Sequence, residues 1–243
     1  MPYYYPIWYD TTFFIFIVPV LIMGLIAQVI VKGTFDKYSR VPTVRGLTGA
    51  QAARAILDAN SLEGVMIEET TGFLSDHYDP RSRTLRLSPD VARSPSVAAV
   101  GVAAHESGHA LQHATGYVPL QFRSTLVPVV QLGTWLGPII IVGGIVLETI
   151  SGAFQLGNVM SWLGVAMFGL VTVFSLVTLP VELDASARAK RLLSQYRIVD
   201  SQEMDGVNKV LNAAAWTYVV AAISALLQLA RWVLILMASN RRR

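Results

Sequence analysis

Four long apolar runs punctuate this chain, roughly from Phe13 to Val31, Val127 to Ile150, Val159 to Pro180 and Ala213 to Ala238. Each reaches the length of about 20 residues that a helix needs to cross a bilayer. One polar stretch, Lys32 to Arg123, separates the first run from the second, and a shorter one, Glu182 to Lys209, separates the third from the fourth. The polar stretches carry periodicities of their own. "LTGAQAARAILDANSLEG" opens on Thr48 with Gln51 at capping-box spacing, then repeats apolar residues at helical period to Ala59. "VMIEETTGFLSDHYDPRSRTLRLSPDV" predicts short strands around a turn at Asp79-Pro80, with "TLRLS" alternating as a strand does. Ser94-Pro95 supplies an N-cap and a first-turn proline for a helix from about Pro95 to Ala114, ending before Gly116. A fresh helix is expected to start after Pro180, near Glu182.

This pattern predicts an α-helical membrane protein with about four transmembrane helices and a small α+β domain assembled from the two polar stretches. The expected divisions are an anchor at 1–32, a catalytic part at 33–124, a membrane hairpin at 125–180, a second catalytic part at 181–212 and a last membrane helix at 213–243. Composition agrees: 53% of the 243 residues are hydrophobic and 14% charged, too apolar a balance for an ordinary soluble domain. With no cysteine, disulfide scaffolds, thiol catalysis and cysteine-ligated zinc are excluded. No Lys or Arg precedes the first run and no small-residue cleavage site follows it before Lys32, so it is expected to be an uncleaved anchor. The tyrosines and Trp8 of "YYYPIWY" suit the headgroup zone.

Charge placement sets the expected orientation. Fifteen of the 19 Lys and Arg residues fall in the two polar stretches, whereas the opening residues and the link between the second and third runs have none. The positive-inside rule places both stretches in the cytoplasm. Because runs two and three form a hairpin between them, the two stretches share a side in either orientation. The terminal "NRRR" opposes this placement, and Arg231 interrupts the fourth run, where a mid-bilayer Arg costs roughly 2.5–3.5 kcal/mol. The small net charge of +3 gives no reason to expect a nucleic-acid partner.

Three of the four histidines lie in "VAAHESGHALQH". His105 and His109 stand at i and i+4, so both meet on one helix face and can grip one zinc ion. Glu106, beside the first, is placed to take the proton of an attacking water in metal-assisted peptide hydrolysis. Gly108 keeps the helix surface low there. Solvated surface histidines are the competing reading, but the small apolar "VAAVGVAA" of the same helix favours burial, which is costly for an unliganded imidazole. His113 lies two turns (about 11 Å) beyond His105, too far for the same ion, and is expected in a supporting or structural role. Glu182 in "PVELDASARAKRLL" is the better third ligand, with Asp184 its rival on another helical face.

"AAHESGHALQH", "SDHYDPRSRTLRLS" and "PVELDASARA", in this order and between spans of this layout, resemble the YugP-type family of bacterial membrane-bound neutral zinc metallopeptidases. The resemblance covers nearly the whole chain. It implies a zincin-like catalytic domain in the bacterial inner membrane, one zinc ion held by His105, His109 and Glu182, and Glu106 as the catalytic base. The family is similar to the glutamate-liganded membrane proteases that include the HtpX-type heat-shock proteases and the CAAX prenyl proteases. There an Asp four residues after the ligand Glu supports a zinc histidine; here that position is Ser186 and the nearest acid is Asp184.

The strand Arg83, Thr84, Leu85, Arg86, Leu87, Ser88 is a candidate open edge for an extended substrate. His77, Tyr78 and Arg188 are candidates for stabilising the oxyanion, with Arg188 alternatively pairing with Asp184. The expected substrates are membrane proteins or membrane-tethered chains cut near the cytoplasmic surface. The glycine-containing hairpin permits close helix packing within one chain or between copies, or with a regulatory membrane partner. Two other readings compete. An intramembrane protease of the site-two type needs a fully apolar zinc helix, yet the apolar run before His105 is only about eight residues. A non-catalytic zinc protein with a structural, sensing or transport role needs no Glu106 beside its ligand.

Overall fold

The computed structural model describes residues 11–72 and 75–241. The aromatic opening segment with Trp8 and the last two arginines lie outside them. Within the described residues the order is α1 (Thr11–Phe16), α2 (Val18–Tyr38), α3 (Gly49–Asp58), β1 (Met66–Glu69), β2 (His77–Asp79), β3 (Thr84–Leu87), α4 (Pro89–Ala92), α5 (Val97–Ala114), α6 (Val118–Ser151), α7 (Phe154–Gln195) and α8 (Ser201–Arg241). Four stretches are long and apolar enough to cross a membrane: Thr12–Tyr38, Val118–Ser151, Phe154–Gln195 and Ser201–Asn240. The described residues therefore include four helices long and apolar enough to span, as the apolar runs predict, together with a small three-stranded sheet. It divides into two compact units, one from the residues up to Ile26, Phe122–Leu179 and Tyr218 onwards, the other from Ala27–Gln121 and Pro180–Thr217.

The second unit holds the polar stretches. Helix α3 begins with the expected capping box: Thr48 Oγ1 accepts from the Gln51 N–H at 3.3 Å, and the Gln51 side chain accepts from the Thr48 N–H at 3.0 Å. Helix α5 starts two residues later than the Ser94-Pro95 pair predicts. Ser96 is its N-cap, accepting from the Ala99 N–H at 3.2 Å, while the Ser94 hydroxyl is engaged with that of Ser96. At its other end Gly116 adopts a left-handed conformation (φ 64°), which lets the N–H of Tyr117 return to the Gln112 carbonyl and that of Gly116 to His113. Between these caps Ala98, Ala99, Ala103 and Ala104 are fully buried and pack in one core with Ile56 and Leu57 of α3, Leu193 of α7 and Val207 of α8.

Two expectations are corrected here. The sheet order is β1-β3-β2, parallel between β1 and β3 and antiparallel between β2 and β3. The strand from Thr84 to Leu87 is thus central, paired on both sides, with Thr84, Leu85 and Leu87 fully buried, and it offers no open edge to a substrate. Nor does a new helix begin after Pro180, because α7 runs through it from Phe154 to Gln195. A proline removes one N–H from the ladder, and a long helix absorbs that loss when its flanking residues favour the helix on both sides.

The first unit packs by glycine. A Cβ on Gly144 would stand 2.5 Å from the Gly157 carbonyl oxygen, and one on Gly164 would stand 2.7 Å from that of Gly137, so α6 and α7 touch backbone to backbone. Gly152, at φ 68°, makes the turn between them. Gly143 and Gly169 meet nothing within 4 Å and take no part. Arg231 sits in a continuous α8 with its guanidinium 5.2 Å from the Trp232 ring centroid and 5.9 Å from that of Phe13, a face-on arrangement that favours a cation.

Neighbouring glycines should therefore behave oppositely. Gly144→Ala should lower the unfolding free energy in detergent by about 1–3 kcal/mol through overpacking, whereas Gly143→Ala should leave it unchanged or raise it by up to about 1 kcal/mol. Denaturant titration of both variants checks the pair.

Candidate metal centre

The close approach of α5 and α7 depends on one missing side chain. A Cβ on Gly108 would lie 2.6 Å from the Ala185 carbonyl oxygen and 3.2 Å from its Cα, so only glycine admits α7 at this distance. Through that contact α7 presents Glu182 to the histidine pair of α5. Glu182 Oε2 lies 3.2 Å from His105 Nε2 and 3.4 Å from His109 Nε2. The imidazoles stand edge to face, with centroids 4.8 Å apart. The group is buried: Glu182 is 2% exposed and His109 9%.

Two imidazole nitrogens and one carboxylate oxygen, all within 4.8 Å of one another, are a donor set that could hold a metal ion. Their spacing fits zinc. Ligand atoms about 2.0–2.1 Å from a tetrahedral ion are about 3.3–3.4 Å from each other, close to the 3.2 and 3.4 Å that separate the histidine nitrogens from Glu182. Three protein donors also leave one position free for water or substrate, as catalytic zinc sites do.

The far sides of both rings are engaged. His105 Nδ1 lies 3.1 Å from Ser186 Oγ, and His109 Nδ1 lies 2.9 Å from Gln112 Oε1. Such contacts orient ligand imidazoles. Glu106 is 8% exposed, beside the pair. Burial pushes its carboxyl above the ordinary value; the charges of His105 and His109 act against this, and Glu182 and Asp76 add to it. A base with a raised pKa is better matched to proton transfer near neutral pH.

The other candidates separate from this group. Asp184, the rival ligand, is engaged elsewhere: it accepts from Arg188 Nε at 2.6 Å and from Gln112 Nε2 at 2.8 Å. Arg188 is held by that ion pair and lies over the Tyr117 ring at 5.6 Å. His113 is bonded to the Tyr78 hydroxyl at 2.9 Å, tying β2 to α5 rather than joining the donors. His77 is exposed, its Nδ1 against the Ser75 carbonyl at 2.8 Å. Arg86 pairs with Asp79 and Glu68 across the sheet, and Arg83 closes the turn into β3 at φ 51°. Ser88 donates its N–H to Asp76 at 2.7 Å.

Sequence reasoning did not find Gln112, fully buried between α5 and α7, or Asp76. The available signal for Gln112 was its position three residues after His109, on the ligand face. Asp76 carried no such signal, because its partner Ser88 lies on another element.

This arrangement belongs with a known class of protein. The sequence pattern of the family described as "Putative neutral zinc metallopeptidase" matches residues 13–237, and the chain belongs to that family. It is 44% identical over 209 residues to the "Putative membrane protease YugP" of Bacillus subtilis (strain 168), an alignment covering 86% of this chain and 89% of the relative. No solved structure matches it significantly. The family resemblance carried by the three sequence segments is thereby borne out, and zinc is the metal the family implies.

If Gly108 governs the approach of α7, Gly108→Ala should abolish stoichiometric zinc uptake. Gly101→Ala, whose new Cβ would meet Val207 no closer than 3.6 Å, should retain it. Metal analysis of both purified variants by plasma mass spectrometry reads the difference.

Proposed function

We propose that this chain is a membrane-embedded zinc endopeptidase of the glutamate-liganded kind. The observation that carries the reading is the convergence of His105, His109 and Glu182 with Glu106 at their side. His105 Nε2, His109 Nε2 and Glu182 Oε2 would hold the ion, which when bound supplies Lewis-acid polarisation to water and to the scissile carbonyl. Glu106 takes a proton from the attacking water and returns it to the departing amine nitrogen. It is the group beside the donors whose burial favours holding a proton. Burial of the surrounding α5 face keeps bulk water away and strengthens each of these interactions.

Since β3 is central, an extended substrate in this reading pairs instead with the outer edge of β2, which the Tyr78–His113 bond fastens to α5. The distribution of Lys and Arg supports a cytoplasmic site. Glu182 follows the end of the third apolar run by two residues, which supports membrane or membrane-proximal proteins as substrates.

Glu106→Gln should keep one zinc per chain and lower cleavage by about 10²–10⁴-fold. Unchanged cleavage would remove Glu106 from its role, and retained zinc without any cleavage by the parent chain would favour a non-catalytic zinc protein. In the same assay a membrane-tethered substrate should be cut faster than soluble casein; equal rates would sink the substrate class. The chain lacks cysteine, so orientation can be read from one introduced thiol. Glu63→Cys, at an exposed position, should resist a membrane-impermeant maleimide in intact cells and react after permeabilisation. Labelling in intact cells would reverse the orientation.

A further inference from the structure

The geometry points to Gln112 as the positioning residue that decides which nitrogen of His109 faces the metal, an inference that rests on the zinc reading above. The Gln112 amide is fully buried with three partners. Its nitrogen lies 2.8 Å from the Val181 carbonyl oxygen and 2.8 Å from Asp184 Oδ2, and its oxygen lies 2.9 Å from His109 Nδ1. The first two partners can only accept, one being a peptide carbonyl and the other a carboxylate paired with Arg188. Both amide hydrogens are therefore spoken for. Turning the amide over would set its oxygen against two acceptors at a fully buried position, so a single arrangement survives.

That arrangement dictates the state of His109. Facing an amide oxygen, Nδ1 must carry a hydrogen, so in the neutral ring the lone pair is on Nε2, 3.4 Å from Glu182 Oε2. Nε2 and the carboxylate oxygen are then the pair of atoms that can share one cation. Arg188, Asp184 and Gln112 thus form a chain of donors and acceptors that prepares one imidazole for metal before any metal arrives. His105 has no equivalent. Its Nδ1 meets the Ser186 hydroxyl at 3.1 Å, and a hydroxyl can donate or accept, so Ser186 orients the ring without choosing the tautomer. Position 186 carries no acid, and the acid that does the choosing, Asp184, acts on the other histidine through an amide.

The test uses the full chain in detergent. Zinc affinity is measured by chelator competition, the imidazole tautomers are read by ¹⁵N NMR of the metal-free protein, and folding is followed by thermal melting. Gln112→Leu should weaken zinc binding about 10–100-fold, the usual effect of removing a partner of a metal histidine, and should convert His109 from one tautomer to a mixture. Ser186→Ala should weaken zinc less. Gln112→Met, close to glutamine in shape but with neither the amide N–H groups nor the amide oxygen, should weaken zinc binding in the same way. This variant keeps the inference testable if Gln112→Leu folds badly. Wild-type affinity and an unchanged His109 spectrum in Gln112→Leu or in Gln112→Met would overturn the role of Gln112 alone. A wild-type chain that takes up no zinc would instead overturn the functional reading beneath it.

Discussion

Everything distinctive about the polar unit depends on two helix backbones meeting at Gly108 and Ala185. On α5 the residues His105, Gly108, His109 and Gln112 fall at i, i+3, i+4 and i+7; on α7 Glu182, Ala185, Ser186 and Ala189 do the same. Each helix thus uses a single stripe for both packing and chemistry. Small residues bring the axes together, and the polar residues between them are thereby forced into contact. Ala185 and Ala189 are fully buried, so the functional groups inherit the rigidity of a packed core.

Polar groups so deeply buried must answer one another, because each unmet one costs about 1–3 kcal/mol. The described contacts meet that demand in a directional way. Arg188 supplies Asp184, Asp184 and the Val181 carbonyl take the Gln112 hydrogens, and the Gln112 oxygen takes the His109 hydrogen. Away from this network the sheet has a mostly mechanical part. Asp76 pins the segment before β2 to Ser88, and Tyr78 pins β2 to His113.

What could be read in advance follows from the range of the interactions. The apolar runs and the His105–His109 spacing are local patterns, and the helices carrying them form. Glu182 was legible because the family resemblance marked it and because it follows directly on the third apolar run, in the second polar stretch. Strand order was not legible. "TLRLS" has the alternation of any half-buried strand, and nothing within it says that both neighbours are occupied. Pro180 misled as well: a proline reads as a boundary, yet α7 runs through it from Phe154 to Gln195. Gln112 was not singled out, because its partners Val181 and Asp184 lie on α7 and only the arrival of that helix buries it.

The route of the chain between the two stripes has a further consequence. His105 and His109 are made before α6, and Glu182 only after both arms of the α6–α7 hairpin. A nascent or truncated chain that stops short of the hairpin's return presents two imidazoles with no carboxylate to complete them. The donor set is complete only once the two long apolar helices between its halves have been synthesised, so an unfinished chain holds at most two of its three groups.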